Sequence, residues 1–161
     1  GCSQGGLVAA LTAAQMPETV NGLVLLYPAL CIPDAARGGE MLWLKFDPSH
    51  IPEKMHAGPM PLGRRYAADV MNMDAFRQIA GYSGKVLLLH GDRDAIVDIS
   101  YAEKAESVYQ AAGADVRFVV IPGGKHIFRK PSRIRQATQE ITAFVRKIKE
   151  ENENEADNGT V

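Results

Sequence analysis

The chain opens with GCSQGG at residues 1–6, a Gly-x-Ser-x-Gly pattern that is followed by a further glycine. This pattern is typical of a sharp strand-to-helix turn that presents a serine hydroxyl at the edge of a sheet. We expect Gly1 and Gly5 to be glycine because a side chain there would collide with the adjoining strand or helix. Ser3 would lie at the apex, with the backbone N–H of Gln4 at the start of the helix. A glycine-rich turn without chemistry is the alternative that so short a pattern leaves open.

A helix and a strand follow this turn. Apolar residues at helical spacing predict a helix over residues 3–15, which Pro17 ends. The continuous apolar run from Val20 to Tyr27 predicts a strand that is buried on both faces, as in a parallel sheet covered by helices. Turn, helix and strand then form one crossover of an α/β fold whose first strand lies outside the chain. Because the chain starts inside a motif and without methionine, we expect a fragment of a longer protein.

Residues 29–83 have a different character. They are rich in proline, glycine and methionine, and no long helical or strand period runs through them. A loop-rich stretch of this length inside a compact domain is usually functional, so we predict an inserted lid with short helices near 63–70 and 74–79. Met41, Trp43 and Phe46 either line an adaptable apolar pocket or attach the lid to the body of the protein.

The alternation of strands and helices resumes at residue 84. The pattern predicts strands over 85–90 and 116–121 and an amphipathic helix over 132–149. A further helix is predicted over 100–112, with Ser100 as its N-cap and Glu103 at the capping-box position. The acidic tail predicts disorder beyond residue 150. The predicted organisation is therefore a core in residues 1–28 and 84–149, a lid in 29–83 and a disordered tail in 150–161.

Three polar residues directly follow the carboxyl ends of strands, namely Ser3, Asp94 and His126. Ligands of parallel α/β sheets bind at this edge, so we expect the three side chains to meet there. A serine needs a nearby base to act as a nucleophile, and a histidine can take its proton near neutral pH. A carboxylate then holds the imidazole in the required tautomer. The N–H of Gln4 would supply one oxyanion donor, and the second is expected outside this chain.

Other residues compete for these roles. Asp94 is preferred as the acid over Asp92 and Asp98 because it lies deep in its loop, ahead of the apolar pair Ile96–Val97. Asp92 is interpreted as a turn residue and Asp98 as the start of the next helix. Among the other histidines, His90 ends a strand and is expected to be structural, whereas surface positions are expected for His50 and His56.

Composition excludes several classes of function. With 161 residues and 46% hydrophobic content, the chain suits one globular domain with a real core. A net charge of −1 provides no attraction for nucleic acids or anionic membranes, and no apolar stretch is long enough to span a membrane. The two cysteines, Cys2 and Cys31, are expected to be buried free thiols, which suit a reducing compartment such as the cytoplasm. No cluster has metal-ligand spacing, so neither a metal nor a cofactor is expected.

The residues quoted above make the chain similar to the α/β-hydrolases, whose serine, acid and histidine follow one another in this order. It resembles more narrowly the bacterial cinnamoyl (feruloyl) esterases, through GCSQGG, LVLLYPA, DPSHIP, LLHGDRDAIV and GGKHIF. The resemblance implies a serine carboxylesterase without cofactor that acts on small hydroxycinnamate esters. It also implies that Asp34 and Tyr66 in the lid bind the phenolic ring. Cys2 stands where that group usually has histidine, which bears on fine specificity.

Two other functions remain open at this point. A prolyl-peptidase-like or acyl-peptide hydrolase domain would use the same core, with an additional N-terminal domain and a shorter lid. A non-catalytic binding module with a hydrolase fold is the third possibility, although it would have no chemical need for Ser3, Asp94 and His126 together. As an isolated piece, the chain would expose a sheet edge and an incomplete core, so we expect it to be poorly stable and weakly active alone.

Overall fold

A parallel sheet of three strands forms the centre of the protein in the computed structural model, which describes residues 1–41, 43–57 and 60–158. Its strands are β1 (Leu23–Leu26), β6 (Lys85–Gly91) and β7 (Asp115–Ile121), with β6 in the middle. The register pairs Leu23 with Val86 and Lys85 with Asp115. The parallel α/β class predicted from the buried apolar runs is therefore confirmed.

Helices cover both faces of this sheet. The helices are α1 (Ser3–Gln15), α5 (Ser100–Ala111) and α6 (Pro131–Asn158). On one face, Val86 and Leu88 of β6 pack in the same cluster as residues of α1 and α5. On the other face, Leu87 and Leu89 pack with Ala137 of α6. This double burial is why β6 is apolar at consecutive positions, and each buried leucine contributes about 2 kcal/mol of transfer free energy.

The outer strands are less buried than β6. In β1 the side chains of Leu23 and Leu25 are buried while those of Val24 and Leu26 are only half-buried. The prediction of full burial on both faces is therefore wrong for β1, because Val24 and Leu26 are only partly buried where they pack beside the cluster that contains Ala137. The strand is also shorter than the predicted 20–27, since a 3₁₀ turn occupies Pro17–Thr19.

Residues 29–83 fold into short elements with a small core of their own. Its buried residues are Ala36, Met41, Met55, Ala67 and Val70. The two predicted helices are present as α3 (Arg64–Met71) and α4 (Ala75–Ile79). Two antiparallel hairpins were not predicted, because their strands have only two to four residues and show no period. The remaining elements of this region are helix α2 (Ile32–Arg37) and the hairpin strands β2 (Glu40–Met41), β3 (Leu44–Lys45), β4 (Lys54–Ala57) and β5 (Met60–Gly63).

The end of this region belongs to the main core. Ala75 and Ile79 of α4 are buried in the cluster that α1 and the sheet share. The N-cap of α4 is Asp74, whose side chain accepts a hydrogen bond from the N–H of Arg77 at 3.0 Å. Helix α4 therefore fixes the last part of residues 29–83 to the sheet, while the hairpins and α3 surround the smaller cluster.

Two predicted helix ends differ from the structure. Ser100 is the first helical residue of α5 rather than its N-cap, and the carboxylate of Asp98 accepts the N–H of Ser100 at 2.9 Å. Asp98 therefore lies at the start of this helix, as predicted from the sequence. The predicted disorder from residue 150 is wrong up to residue 158, because α6 continues to Asn158. Helical spacing pairs Lys147 with Glu151 and Lys149 with Glu153, which stabilises the extension.

In the part of the chain that the structure describes, no helix combines the length and apolarity that a membrane span requires.

Candidate active site

The first residues form the predicted strand-to-helix turn. Gly1 and Cys2 run parallel to β1, where the N–H of Leu26 donates to the Gly1 carbonyl at 2.9 Å. Ser3 then begins α1 with a φ of +50°, a left-handed conformation that costs free energy in a residue other than glycine. Its carbonyl accepts the N–H of Ala29 at 2.9 Å, which helps to hold the turn in place. The turn therefore presents the Ser3 side chain above the carboxyl end of β1.

Close backbone contacts explain two of the three glycines in this turn. A Cβ at Gly1 would lie 2.2 Å from the Gly5 carbonyl oxygen, and one at Gly6 would lie 2.9 Å from Cα of Pro28. A Cβ at Gly5 would meet no atom within 4 Å. The prediction of a collision is therefore confirmed for Gly1 and wrong for Gly5. The second crowded position is Gly6, where α1 packs closely against Pro28 in the segment after β1.

Gly6→Ala is expected to destabilise the protein by about 1–3 kcal/mol, because Pro28 is rigid and the helix must move away from it. The matched control is Gly5→Ala, which should be neutral or stabilise by up to about 1 kcal/mol through helix propensity. Urea unfolding of both variants of the full-length protein measures the difference. Equal midpoints for the two variants would contradict the packing described here.

The structure brings Ser3, His126 and Asp94 together in one chain of hydrogen bonds. His126 Nε2 lies 2.9 Å from Ser3 Oγ, and His126 Nδ1 lies 2.8 Å from Asp94 Oδ2. The Asp94 side chain is fully buried, and that of His126 is 12% exposed. Because the carboxylate accepts the proton on Nδ1, Nε2 is left with a lone pair that faces the serine hydroxyl. This arrangement can take the hydroxyl proton when the oxygen attacks an electrophile.

Backbone contacts of its own loop hold Asp94. Its Oδ1 accepts the N–H groups of Ile96 at 2.9 Å and Val97 at 3.0 Å, so only Oδ2 is directed at His126. The neighbouring loop is equally close, since a Cβ at Gly91 would lie 2.2 Å from the Gly124 carbonyl oxygen. These two glycines allow the loops after β6 and β7 to touch, which brings Asp94 within reach of His126.

His90 lies beneath the acid. It is completely buried, and its Nε2–H donates to the Val97 carbonyl at 3.0 Å, with Asp94 Oδ2 at 3.4 Å. Burial lowers the pKa of His90, so the imidazole stays neutral in this environment. The prediction that His90 is structural is confirmed, because it ties the end of β6 to the loop that carries Asp94.

The competing acids and histidines are placed elsewhere. Asp92 is exposed, and Asp98 belongs to the start of α5. His56 is exposed as expected, and His50 pairs with Asp47 on the surface at 3.0 Å. Among the candidates for acid and base, the structure therefore places His126 within hydrogen-bond reach of the serine and Asp94 within reach of the other ring nitrogen of His126.

A cavity of about 220 Å³ opens beside Ser3 between the sheet edge and residues 29–83. Its wall is mainly apolar and includes Met41, as the pocket alternative for the methionines predicts, whereas Trp43 is 76% exposed and lies outside it. Tyr66 also lines the cavity, and its hydroxyl accepts a hydrogen bond from Gln4 Nε2 at 2.7 Å. Burial raises the pKa of Tyr66, so the phenol keeps its proton and can donate it to a ligand.

The structure does not bring Asp34 to this cavity. Its carboxylate pairs with Arg37 and accepts the Tyr101 hydroxyl at 3.0 Å. Burial, followed by the hydrogen bond to Asp34, raises the pKa of Tyr101 to about 12. Both carboxylate oxygens are thus occupied by neighbours on α2 and α5, and Tyr66 is the one of the two predicted lid residues that faces the space beside Ser3.

The two cysteines are free thiols. Cys2 is exposed and Cys31 is half-buried, so the prediction of two buried thiols is wrong. Cys2 directly precedes Ser3, the residue at the apex of the turn. Burial raises the pKa of Cys31, which keeps that thiol protonated. Within residues 1–41, 43–57 and 60–158, no group of side chains could hold a metal ion.

A serine, a histidine and a buried carboxylate on loops at the carboxyl edge of a parallel sheet define an α/β-hydrolase. The chain belongs to the prolyl oligopeptidase family, whose model matches residues 1–151. No curated protein sequence matches it.

Several solved structures are similar. Est1E from Butyrivibrio proteoclasticus with bound ferulic acid shares 30% identity and a TM-score of 0.79, over 90% of this chain and 58% of that chain. A second structure of Est1E from Butyrivibrio proteoclasticus is 30% identical with a TM-score of 0.78, over 90% of this chain and 60% of that chain. The esterase domain of a Rhodothermus marinus protein, 20% identical with a TM-score of 0.67, covers 91% and 59% and supports the fold. The chain thus spans less than two thirds of the length of these neighbours.

Proposed function

We propose that the protein is a serine carboxylesterase that hydrolyses hydroxycinnamate esters through Ser3, His126 and Asp94. The observation that carries this proposal is the unbroken series of hydrogen bonds from Ser3 Oγ through His126 to Asp94 at the mouth of an apolar cavity. A hydroxyl, a neutral imidazole and an oriented carboxylate are the groups that acyl transfer requires.

The first half of the reaction forms an acyl-enzyme. Ser3 Oγ attacks the ester carbonyl while His126 Nε2 takes its proton, a step to which general base catalysis contributes about 10²–10⁴-fold. The carbonyl oxygen becomes an oxyanion, and the N–H of Gln4 at the start of α1 donates to it, with the helix dipole adding to the stabilisation. His126 then returns the proton to the leaving alkoxide as the carbon–oxygen bond breaks.

The second half releases the acid. Water gives a proton to His126 Nε2 and attacks the acyl carbon, and collapse of the tetrahedral intermediate frees Ser3 Oγ, which takes the proton back. Asp94 stabilises the imidazolium in both halves, because its Oδ2 faces Nδ1 while Oδ1 is held by two backbone N–H groups. No cofactor takes part in this scheme.

The cavity supports a phenolic acyl group as the substrate. Its apolar wall suits an aromatic ring, and the Tyr66 hydroxyl can hydrogen-bond a polar substituent on that ring. The similarity to Est1E, whose structure carries ferulic acid, favours the same class of ligand. Asp34 remains outside the proposed contact set because Arg37 and Tyr101 occupy its carboxylate.

Peptide or acyl-peptide hydrolysis is the second candidate, which the family assignment favours. The two reactions differ in the leaving group, since an amide nitrogen needs protonation before the bond can break. A non-catalytic binding module is disfavoured by the complete and correctly spaced Ser3, His126 and Asp94.

A substrate panel separates the candidates. Methyl ferulate, p-nitrophenyl acetate and an aminoacyl amide are compared with the full-length protein and its Tyr66→Phe variant. We expect methyl ferulate to be the best substrate relative to its intrinsic reactivity, and Tyr66→Phe to lower its kcat/KM about 10-fold. The variant should leave p-nitrophenyl acetate turnover within about 3-fold, since this ester lacks the ring on its acyl side. Preference for the amide, or a ferulate rate no better than that of other esters, would reject the hydroxycinnamate assignment.

A further inference from the structure

Tyr27 has a backbone conformation that is unusual for a bulky residue. It follows β1 directly and has a φ of +37°; among the described residues other than glycine, only Ser3 also has a positive φ. A tyrosine in the left-handed region is disfavoured, and such outliers cluster at functional sites where the surrounding structure enforces them. The two strained residues of this chain thus lie on adjacent segments at the same edge of the sheet.

Backbone hydrogen bonds on both sides enforce this conformation. The N–H of Tyr27 donates to the Leu89 carbonyl of β6 at 2.7 Å. The residue before it bonds to Gly1 at 2.9 Å, and Ala29, two residues after it, bonds to Ser3 at 2.9 Å. Tyr27 is therefore held between the turn that carries Ser3 and the strand that leads to Asp94.

The Tyr27 ring packs against the imidazole of the site. Its centroid lies 4.8 Å from that of His126 at an interplanar angle of 55°, and 5.1 Å from that of Phe128 at 87°. Phe128 is buried and supports the ring from a second side. Burial, with a smaller effect of the neighbouring Cys2 thiol, raises the pKa of Tyr27, so the ring remains a neutral phenol. His126 thus has a tilted aromatic contact in addition to its two hydrogen bonds.

These hydrogen bonds do not both persist during the reaction. In the acyl-enzyme, Ser3 Oγ is bonded to the acyl carbon and carries no proton, so it can no longer donate to His126 Nε2. The imidazole then keeps Asp94 on one nitrogen while the other must accept a proton from water. A ring that is held at one nitrogen alone can rotate about that contact, and a small displacement of the base lowers the rate of the step that it catalyses.

We propose that Tyr27 is a positioning residue that holds the His126 imidazole in place for deacylation. This role rests on the proposed esterase function, and Tyr27 acts through its ring contact with His126. If Tyr27 has this role, its loss affects the rates of the two half-reactions to different extents. Loss of the ring slows deacylation, in which His126 lacks the serine contact, more than acylation, in which that contact is present.

The test is pre-steady-state hydrolysis of p-nitrophenyl acetate by the full-length protein, in which the burst reports acylation and the steady state reports deacylation. Tyr27→Leu removes the ring. Tyr27→Asn also removes it, and asparagine tolerates a positive φ, so this variant keeps the test independent of folding. Tyr27→Phe keeps the ring and loses the hydroxyl. The matched control is Phe76→Leu, which removes a half-buried ring that stacks on Tyr101 at 6.1 Å, away from His126.

We expect Tyr27→Leu and Tyr27→Asn to slow deacylation about 10-fold while acylation changes by less than about 3-fold. Tyr27→Phe should keep the wild-type deacylation rate, and Phe76→Leu should leave both rates near those of the wild type. Equal losses in both steps, an unchanged deacylation rate, or a Tyr27→Phe variant as slow as Tyr27→Asn would overturn the role of Tyr27.

Covalent labelling distinguishes failure of the proposed esterase function from failure of the positioning role of Tyr27. A fluorophosphonate probe should label Ser3 in the wild type and in every Tyr27 variant, because labelling does not require deacylation. Labelling at Ser3 with unaltered deacylation rejects the positioning role alone. Absence of labelling in the folded wild-type protein rejects the esterase function and, with it, this role.

Discussion

Ser3→Ala is expected to lower kcat/KM for ester hydrolysis about 10⁵-fold, which corresponds to about 7 kcal/mol of transition-state stabilisation. The reason is that the acyl-enzyme cannot form without Oγ, which lies 2.9 Å from the base His126. Residual hydrolysis would come from binding and from the oxyanion donors alone. Steady-state hydrolysis of methyl ferulate and p-nitrophenyl acetate measures the loss.

The control for this variant is Cys2→Ala. Cys2 is an exposed thiol directly beside the serine and is the alternative nucleophile in the same turn. We expect this variant to keep activity within about 3-fold, since the thiol is not part of the hydrogen-bonded chain. The assignment fails if Cys2→Ala is the inactive variant or if Ser3→Ala retains wild-type turnover.

Asp94→Asn is expected to lower kcat about 10⁴-fold while the fold is retained. Two backbone N–H groups, of Ile96 and Val97, point at the Oδ1 position, so the amide oxygen of asparagine takes this place. The amide nitrogen is then directed at His126 Nδ1 and donates to it. This forces the proton onto Nε2, which can no longer accept the proton of Ser3.

Asp92→Asn tests whether this effect is specific. Asp92 is in the same loop, is exposed and undergoes the same change of charge. We expect its activity to stay within about 2-fold of the wild type, because surface charges remote from the reacting atoms contribute little. Comparable losses in both variants, measured as kcat with circular dichroism as the check on folding, would show that loop charge rather than tautomer control explains the result.

The sequence predicts the central sheet and the three-residue site because both depend on local patterns. The apolar run of β6 indicates burial on both faces, and polar residues directly after β6 and β7 must lie at one edge when the strands are parallel. Asp94 and His126 are 32 residues apart, yet this rule alone places them together.

Features that depend on tertiary packing could not be predicted in this way. The hairpins of residues 29–83 have strands too short to show a period, and the hydrogen-bond partners of Asp34 come from α2 and from the distant α5. The crowding at Gly6 arises from Pro28, which no local pattern places there. From composition alone, the acidic end of α6 resembles a solvated tail. In the structure it is helical, and helical spacing pairs two of its acidic residues with Lys147 and Lys149.

Tyr27 is the clearest case of a site residue without a local signal. A tyrosine before proline at the end of a strand suggests only a chain reversal. Its positive φ and its contact with His126 arise because the turn at Ser3 and strand β6 bind the backbone from two sides. The signal that could find such residues is a strained φ close to a nucleophile, which requires coordinates.

The most direct test of the account is mass spectrometry of the full-length protein after reaction with a fluorophosphonate probe, with peptide mapping of the adduct. We predict one adduct on the peptide that contains Ser3, retained in Cys2→Ala, absent in Ser3→Ala and formed much more slowly in Asp94→Asn. An adduct on Cys2 or elsewhere, or no adduct in folded protein that still hydrolyses esters, would contradict it.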